Sequence, residues 1–112
     1  MDEIVYEDGA YYIFDRGYLD YFRLYEITQH SAFFVIRAKS NLKFGRMYSR
    51  KVDKSTGVQY DQIGKMTGYY TIQDYPDKLR KIKFYDKEND KTLIFLTNNF
   101  NLASEDIALL YK

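Results

Sequence analysis

The sequence has no cysteine and no tryptophan, and it contains one proline and one histidine among 112 residues. Without cysteine, disulfide bonds and thiolate zinc sites are excluded. The single histidine, His30, does not support a multi-histidine metal site and is interpreted as a polar residue at a helix end. The longest strongly apolar run, residues 32–36, is too short to cross a bilayer. Because the Met-Asp-Glu start also lacks a secretory signal, we expect a soluble, cytoplasmic protein without a membrane partner.

Aromatic residues are abundant by contrast. Thirteen tyrosines and eight phenylalanines bring the aromatic fraction to 19%, and 46% of all residues are hydrophobic. This composition excludes a disordered tail, and rings of this kind are typical of β-rich interiors. The length predicts one domain-sized core.

The first third of the chain has the pattern of a strand, a helix and a second strand. Residues 10–14 and 32–36 are short, continuous apolar runs, which predict strands buried on both faces as in a parallel sheet. Between them, Tyr18, Tyr21, Phe22 and Tyr25 recur at the spacing of one helix face. These elements predict a βαβ unit with a right-handed crossover.

After residue 38 the strands become half-polar and turns are frequent. A turn at residues 53–57 has Gly57 for the left-handed position, so residues 44–52 and 58–66 are predicted to pair as a hairpin. A second break lies at residues 74–77, before an alternating strand at 79–86.

A buried strand and a helix are predicted at the end of the sequence. Residues 92–97 form the strand, and Asn98 and Asn99 after it are interpreted as turn-making residues. Ser104 is predicted to be the N-cap of a helix with Ile107, Ala108 and Tyr111 on one face.

Charge is unevenly distributed along the chain. Residues 37–54 carry seven basic residues and one acidic residue, whereas residues 1–36 are mainly acidic. The basic segment either contacts a polyanion such as nucleic acid or simply solvates an exposed hairpin. The candidate DNA-binding residues are Lys39, Lys43, Arg46, Arg50 and Lys51.

Asp15 is the most specific candidate for chemistry. It directly follows the first predicted strand, and α/β proteins place their sites at the carboxyl ends of parallel strands. A hard divalent cation such as magnesium prefers a carboxylate ligand of this kind. Alternatively, Asp15 caps the following helix or closes the turn, and position alone does not separate the two interpretations.

Residues 12–20, Tyr-Ile-Phe-Asp-Arg-Gly-Tyr-Leu-Asp, resemble the second-aspartate motif of DDE transposases of the insertion-sequence-four type. The similarity continues in order through residues 32–35, 37–43, 95–100 and 108–112. The resemblance therefore covers nearly the whole chain.

The resemblance implies a ribonuclease-H-like core that holds two metal ions with Asp, Asp and Glu, and an all-β insertion before the Glu. Asp15 matches the second Asp as a catalytic metal ligand, and Tyr111 matches the Tyr of the Tyr-Arg-Glu-Lys signature. The implied fold class is α+β, mostly β. The implied division is a partial core at residues 1–38, an insertion domain at 39–97, and the start of the Glu helix at 98–112.

The resemblance also places the first Asp upstream of Met1 and the Glu beyond Lys112. We therefore expect a transposase fragment that is inactive alone, with DNA as partner. Magnesium or manganese is expected in the full-length parent, and no tightly bound ion in this chain. One alternative is a non-catalytic nucleic-acid-binding module built on the basic hairpin. The other is a remnant that self-associates into homo-oligomers, which equilibrium sedimentation would detect.

Overall fold

The computed structural model describes residues 7–14, 21–38, 43–68 and 73–111. These residues form six strands, two α-helices and a short 3-10 turn at Lys54–Thr56. The fold is therefore α+β and mostly β, as predicted. The elements in chain order are β1 (Tyr11–Phe14), α1 (Tyr21–Gln29), β2 (Phe33–Ala38), β3 (Phe44–Arg50), β4 (Val58–Met66), β5 (Leu79–Asp86), β6 (Lys91–Thr97) and α2 (Ser104–Tyr111).

The six strands form one mixed sheet in the order β1-β2-β6-β5-β4-β3. β1 lies parallel to β2, with Tyr11 beside Phe33, and α1 is the crossover between them. This arrangement confirms the predicted βαβ unit. All other neighbouring strands are antiparallel. Because β6 pairs with β2, the strands of the predicted core and the predicted insertion share a sheet, and the domain division stays a prediction.

Of the two α-helices described, one packs on each face of the sheet. On the α1 face, Leu24 and Ile27 pack with strand residues such as Phe34 and Leu96. On the α2 face, the predicted buried residues Ile107 and Ala108 pack with a second cluster that includes Val35, Val58, Ile82 and Phe95. Full burial of each such large apolar side chain contributes about 1.5–3 kcal/mol, so both helices are held mainly by these contacts.

The predicted buried face of α1 is partly wrong. Leu24 and Ile27 are the fully buried residues, whereas Phe22 is 58% exposed and Tyr21 and Tyr25 are half-buried. Tyr18 lies outside the described residues. The side of α1 that contacts the sheet carries Tyr21, Leu24, Tyr25 and Ile27. The polar residue Thr28 lies on this side as well and interrupts the apolar period in the sequence.

The prediction that both parallel strands are buried on both faces holds for β2 but is wrong for β1. Tyr11 is 36% exposed and Ile13 is 42% exposed. Both side chains lie on the α2 face, as their pairing with Phe33 and Val35 shows. β1 is the outermost strand of the described sheet, and α2 packs farther in, against β2 and β4. The apolar run therefore predicts the strand correctly, but it does not show that β1 lies at the edge of the described sheet, where one face is left partly exposed.

The predicted hairpin is confirmed, since β3 and β4 pair in antiparallel register. Gly57 has a φ of 98°, in the left-handed region that favours glycine. Asp53 caps the 3-10 turn by accepting hydrogen bonds from the backbone N–H and the hydroxyl of Ser55. These bonds, the hydroxyl bond first, lower the pKa of Asp53.

The predicted N-cap of the last helix is wrong by one residue. Ser104 is the first residue of α2, and the carbonyl oxygen of Ala103 accepts from the N–H groups of Asp106 and Ile107. The hydroxyl of Ser104 instead donates to Asp61 at 2.6 Å. A serine before an apolar helical pattern thus correctly predicts a helix start, but its hydroxyl binds the Asp61 carboxylate on the same face of the sheet instead of capping the helix.

Candidate functional site

The predicted metal ligand Asp15 follows the last residue of β1 in the sequence but lies outside the described residues. Within residues 7–14, 21–38, 43–68 and 73–111, no three His, Asp or Glu side chains converge to hold a metal ion. Two-metal phosphoryl transfer requires several ligands around both ions. The described residues therefore do not form such a centre by themselves, and the role of Asp15 stays a prediction.

The predicted basic residues do not form one surface. Lys39 lies outside the described residues, and Lys43 and Lys51 are exposed beside the two ends of β3. Arg46 pairs with Gly64 and Arg50 with Asp61, and a β-bulge lies between Arg46 and Tyr48. Because the bulge adds one residue to β3, Arg46 lies on the α1 face and Arg50 on the α2 face.

Arg50 serves a structural contact on the α2 face. Its Nη1 donates to the backbone oxygen of Phe100 at 2.8 Å, which ties β3 to the segment between β6 and α2. Arg50 also lines a cleft of about 240 Å³ whose other walls carry both charge signs. The charged or hydroxyl-bearing residues around this cleft include Lys51, Asp53, Asp61, Arg80, Ser104 and Glu105. Because carboxylates and basic side chains both line the cleft, its charge does not favour an anion over a cation.

Two further basic residues, absent from the sequence-based candidates, lie on the α1 face with Arg46. Lys81 and Lys83 project from β5 beside Tyr60 of β4. The Nζ of Lys81 is 5.5 Å from the Phe44 ring centroid and 5.6 Å from that of Tyr60. The Nζ of Lys83 is 5.9 Å from the Tyr60 centroid. The sequence predicts the alternation of β5, but the pairing of β4 with β3 and β5 is what brings these basic residues to one face.

A buried ionic cluster joins β4, β5 and α2. Arg80 is fully buried, and its Nε and Nη2 donate to the two carboxylate oxygens of Asp61 at 2.9 and 2.6 Å. Its Nη1 donates to the backbone oxygens of Asn99 and Leu102 at 3.0 and 2.6 Å. Together with the hydroxyl of Ser104, this cluster fixes the path of the chain from β6 into α2.

The sequence contained one signal for this cluster. Arg80 occupies the same alternating face of the predicted strand as Ile82 and Phe84, which are both buried. An arginine in an inward register predicts a buried partner, because an unpaired buried charge is too costly.

Asn98 forms a second buried polar cluster, at the amino end of β2. Its Oδ1 accepts from the backbone N–H of Phe34 at 2.9 Å, and its Nδ2 donates to the oxygens of Ala32 and Thr28. Asn98 is therefore a bridge between β6, β2 and α1, so its interpretation as a turn-making residue is wrong. The interpretation is confirmed for Asn99, whose Oδ1 accepts from the N–H groups of Asn101 and Leu102.

Tyr75 completes this second cluster from within a predicted break. Its ring is fully buried against Phe34 and Tyr25, and its hydroxyl hydrogen-bonds Thr28 Oγ1 at 2.8 Å. Burial raises the pKa of Tyr75, so this hydroxyl keeps its proton at neutral pH. The cluster is thus a neutral network that packs the residues before β5 against α1.

In the part of the chain that the structure describes, neither helix is long and apolar enough to cross a membrane.

Comparison with known proteins assigns the chain to a family. A Sinorhizobium fredii protein named "Putative transposase y4zB" is 33% identical over 112 residues, which cover 97% of this chain and 31% of the relative. The chain thus spans about a third of the length of that relative. No solved structure matches the chain significantly. The family described as Transposase DDE domain matches residues 1–112. Because this match extends over the whole sequence, the chain belongs to the Transposase DDE domain family.

Proposed function

We propose that the chain is a piece of the catalytic domain of a DNA transposase of the insertion-sequence-four type. In this proposal Asp15 is one of the metal-binding carboxylates, the β region contacts DNA, and the chain alone does not cut DNA. The parallel β1–α1–β2 unit is the observation that carries the proposal. It puts Asp15 next in sequence after the carboxyl end of β1, where α/β proteins place their sites.

The outer edge of β1 supports a ribonuclease-H-like core in the whole transposase. Among the described residues no strand pairs with this edge, and an unpaired strand edge favours pairing with another strand. We assign the strand that carries the first aspartate to this position. Residues 39–97 are the proposed insertion, and residues 98–112 are the proposed start of the Glu helix.

The buried ionic cluster orients that helix. Arg80 holds the backbone at Asn99 and Leu102, and Asp61 holds Ser104 at the first residue of α2. Three points of attachment fix where α2 begins on its sheet face. Tyr111, the proposed first residue of the signature, is the last residue of α2. We therefore propose that the cluster positions α2 on its face of the sheet.

DNA cleavage and strand transfer, with magnesium or manganese as cofactor, are the proposed activities of the whole protein. One carboxylate does not clamp two metal ions around the attacking and leaving oxygens. The isolated chain is accordingly proposed to be a DNA-binding module without nuclease activity. Lys43, Arg46, Arg50 and Lys51 remain the proposed DNA contacts of the hairpin, with Lys39 preceding them in the sequence.

A nuclease assay tests the proposal. Labelled duplex DNA is incubated with the chain and either magnesium or manganese, beside the variant Asp15→Asn. We expect neither protein to cut the DNA, because a single carboxylate is insufficient. A product formed by the wild type and lost in Asp15→Asn would contradict the inactive-chain proposal and would assign catalysis to Asp15. A product formed equally by both would indicate a contaminating nuclease.

A further inference from the structure

We propose that the α1 face of β3, β4 and β5 carries a second DNA-backbone contact surface, formed by Lys81 and Lys83 beside Tyr60 and by Arg46 farther along the same face. We call these four residues the lysine face. The inference rests on the proposed function, because that proposal supplies DNA as the partner. The inference adds new contact residues to that proposal, because Lys81 and Lys83 lie outside the basic segment of residues 37–54.

The sheet register brings these residues together. Lys83 pairs with Tyr60 across β4 and β5, and Lys81 pairs with Gln62. The two lysines are two residues apart on one strand, so their side chains share a face at a spacing of about 6.6 Å along the strand. Arg46 on β3 pairs with Gly64 of β4, two residues beyond Gln62 on the same face. Arg46 is exposed, and Tyr60, Lys81 and Lys83 are partly exposed.

The sheet separates the charges of β4 and β5 between its two faces. Asp61 and Asp86 lie on the α2 face, as their positions beside Ile82 and Phe84 in the alternation show. Among the described strands, the charged side chains on the α1 face are those of Arg46, Lys81 and Lys83. Asp90, in the turn after β5, accepts a hydrogen bond from the hydroxyl of Tyr85. This pair lies at the end of β5 away from Lys81. The lysine face therefore presents positive charge that no neighbouring strand carboxylate on the same face neutralises.

Aromatic rings hold the ammonium groups in place. The Nζ atoms of both lysines lie within 6 Å of the Tyr60 ring centroid, and that of Lys81 is equally close to Phe44. At this distance the ring quadrupole attracts the ammonium groups. Side chains that are already oriented lose less conformational entropy when they bind, so this arrangement favours contact with successive phosphates.

Salt dependence of DNA binding tests the lysine face directly. The affinity of the chain for a labelled duplex is measured between 50 and 200 mM salt for the wild type and for Lys81→Gln/Lys83→Gln. Loss of two phosphate contacts reduces the slope of log K against log salt by about 1.8. The variant is therefore expected to lose about 12-fold less affinity over this range than the wild type, and to bind more weakly at 50 mM.

Two variants serve as controls. Lys87→Gln/Lys91→Gln removes the same net charge from the exposed ends of the turn between β5 and β6, and is expected to keep the wild-type slope. Lys81→Arg/Lys83→Arg keeps both positive charges, so this variant is also expected to keep the wild-type salt slope. Acetylation footprinting of the wild type adds a measurement that does not depend on folding of a variant. DNA is expected to protect Lys81 and Lys83 but not Lys87 and Lys91.

Each other outcome overturns the inference. If the wild type binds DNA but Lys81→Gln/Lys83→Gln keeps its slope, the lysine face is not a contact, and the proposed function stands without it. If the control pair lowers the slope equally, net charge and not this face determines binding. If DNA leaves Lys81 and Lys83 unprotected, the inference fails by the second measurement. If the wild type does not bind at 50 mM salt, both the inference and the DNA-binding part of the proposed function fail.

Discussion

Arg80→Met is expected to lower the free energy of unfolding by about 3–5 kcal/mol, the usual cost of removing one partner from a buried ion pair. The substitution leaves the Asp61 carboxylate buried with Ser104 as its one remaining partner from the cluster. It also removes the donor to the backbone oxygens of Asn99 and Leu102. Since small domains are stable by about 5–15 kcal/mol in total, this loss is a large share of the stability.

Urea unfolding followed by circular dichroism measures this effect. Arg46→Met is the matched control, because Arg46 is exposed on β3 and surface substitutions change stability by only about 0.5 kcal/mol. The double variant Asp61→Leu/Arg80→Met is expected to be more stable than Arg80→Met alone, since no unpaired carboxylate remains. A cost below about 1 kcal/mol for Arg80→Met would show that the cluster does not fix the start of α2 as described.

Asn98→Ala is expected to destabilise the chain by about 2–4 kcal/mol, because it leaves buried backbone groups without partners at about 1–3 kcal/mol each. The backbone N–H of Phe34 loses its acceptor, and the backbone oxygen of Ala32 loses a donor. The link to Thr28 on α1 is lost as well. The effect should therefore be concentrated at the amino end of β2.

Hydrogen exchange and urea unfolding together measure the Asn98 effect. The amide of Phe34 is expected to exchange faster in Asn98→Ala than in the wild type, beyond the change caused by global destabilisation. Asn101→Ala is the control, since Asn101 is an exposed asparagine three residues further along the chain. If the two variants have equal stability and equal Phe34 exchange, Asn98 is an ordinary loop residue and the bridge contributes nothing.

The local elements of this fold could be predicted because their signals are local. A continuous apolar run identified β2, and a turn with Gly57 identified the hairpin of β3 and β4. Residues far apart in the sequence determined the rest. The pairing of β2 with β6 joins strands separated by more than 50 residues, and no turn or period encodes it.

Sequence patterns gave wrong predictions at single residues whose positions depend on tertiary contacts. One extra residue in β3 places Arg46 and Arg50 on opposite faces, so a basic cluster in sequence is not a cluster in space. Tyr75 fills the core from a segment that has the composition of a turn. Arg80 is buried because Asp61 on the neighbouring strand neutralises it, and strand pairing must be known before that partner can be identified.

One titration tests the central claim most directly, namely that this transposase-family chain binds DNA but does not cut it. Labelled duplex DNA is titrated with the wild-type chain in magnesium at 50 and 200 mM salt, and the DNA is then examined for cleavage. If the four described basic residues of the hairpin, Lys43, Arg46, Arg50 and Lys51, each contact one phosphate, affinity is expected to fall by about 100-fold between the two salts. The DNA should stay intact. Absence of binding at 50 mM salt, or cleavage that depends on Asp15, would contradict the claim.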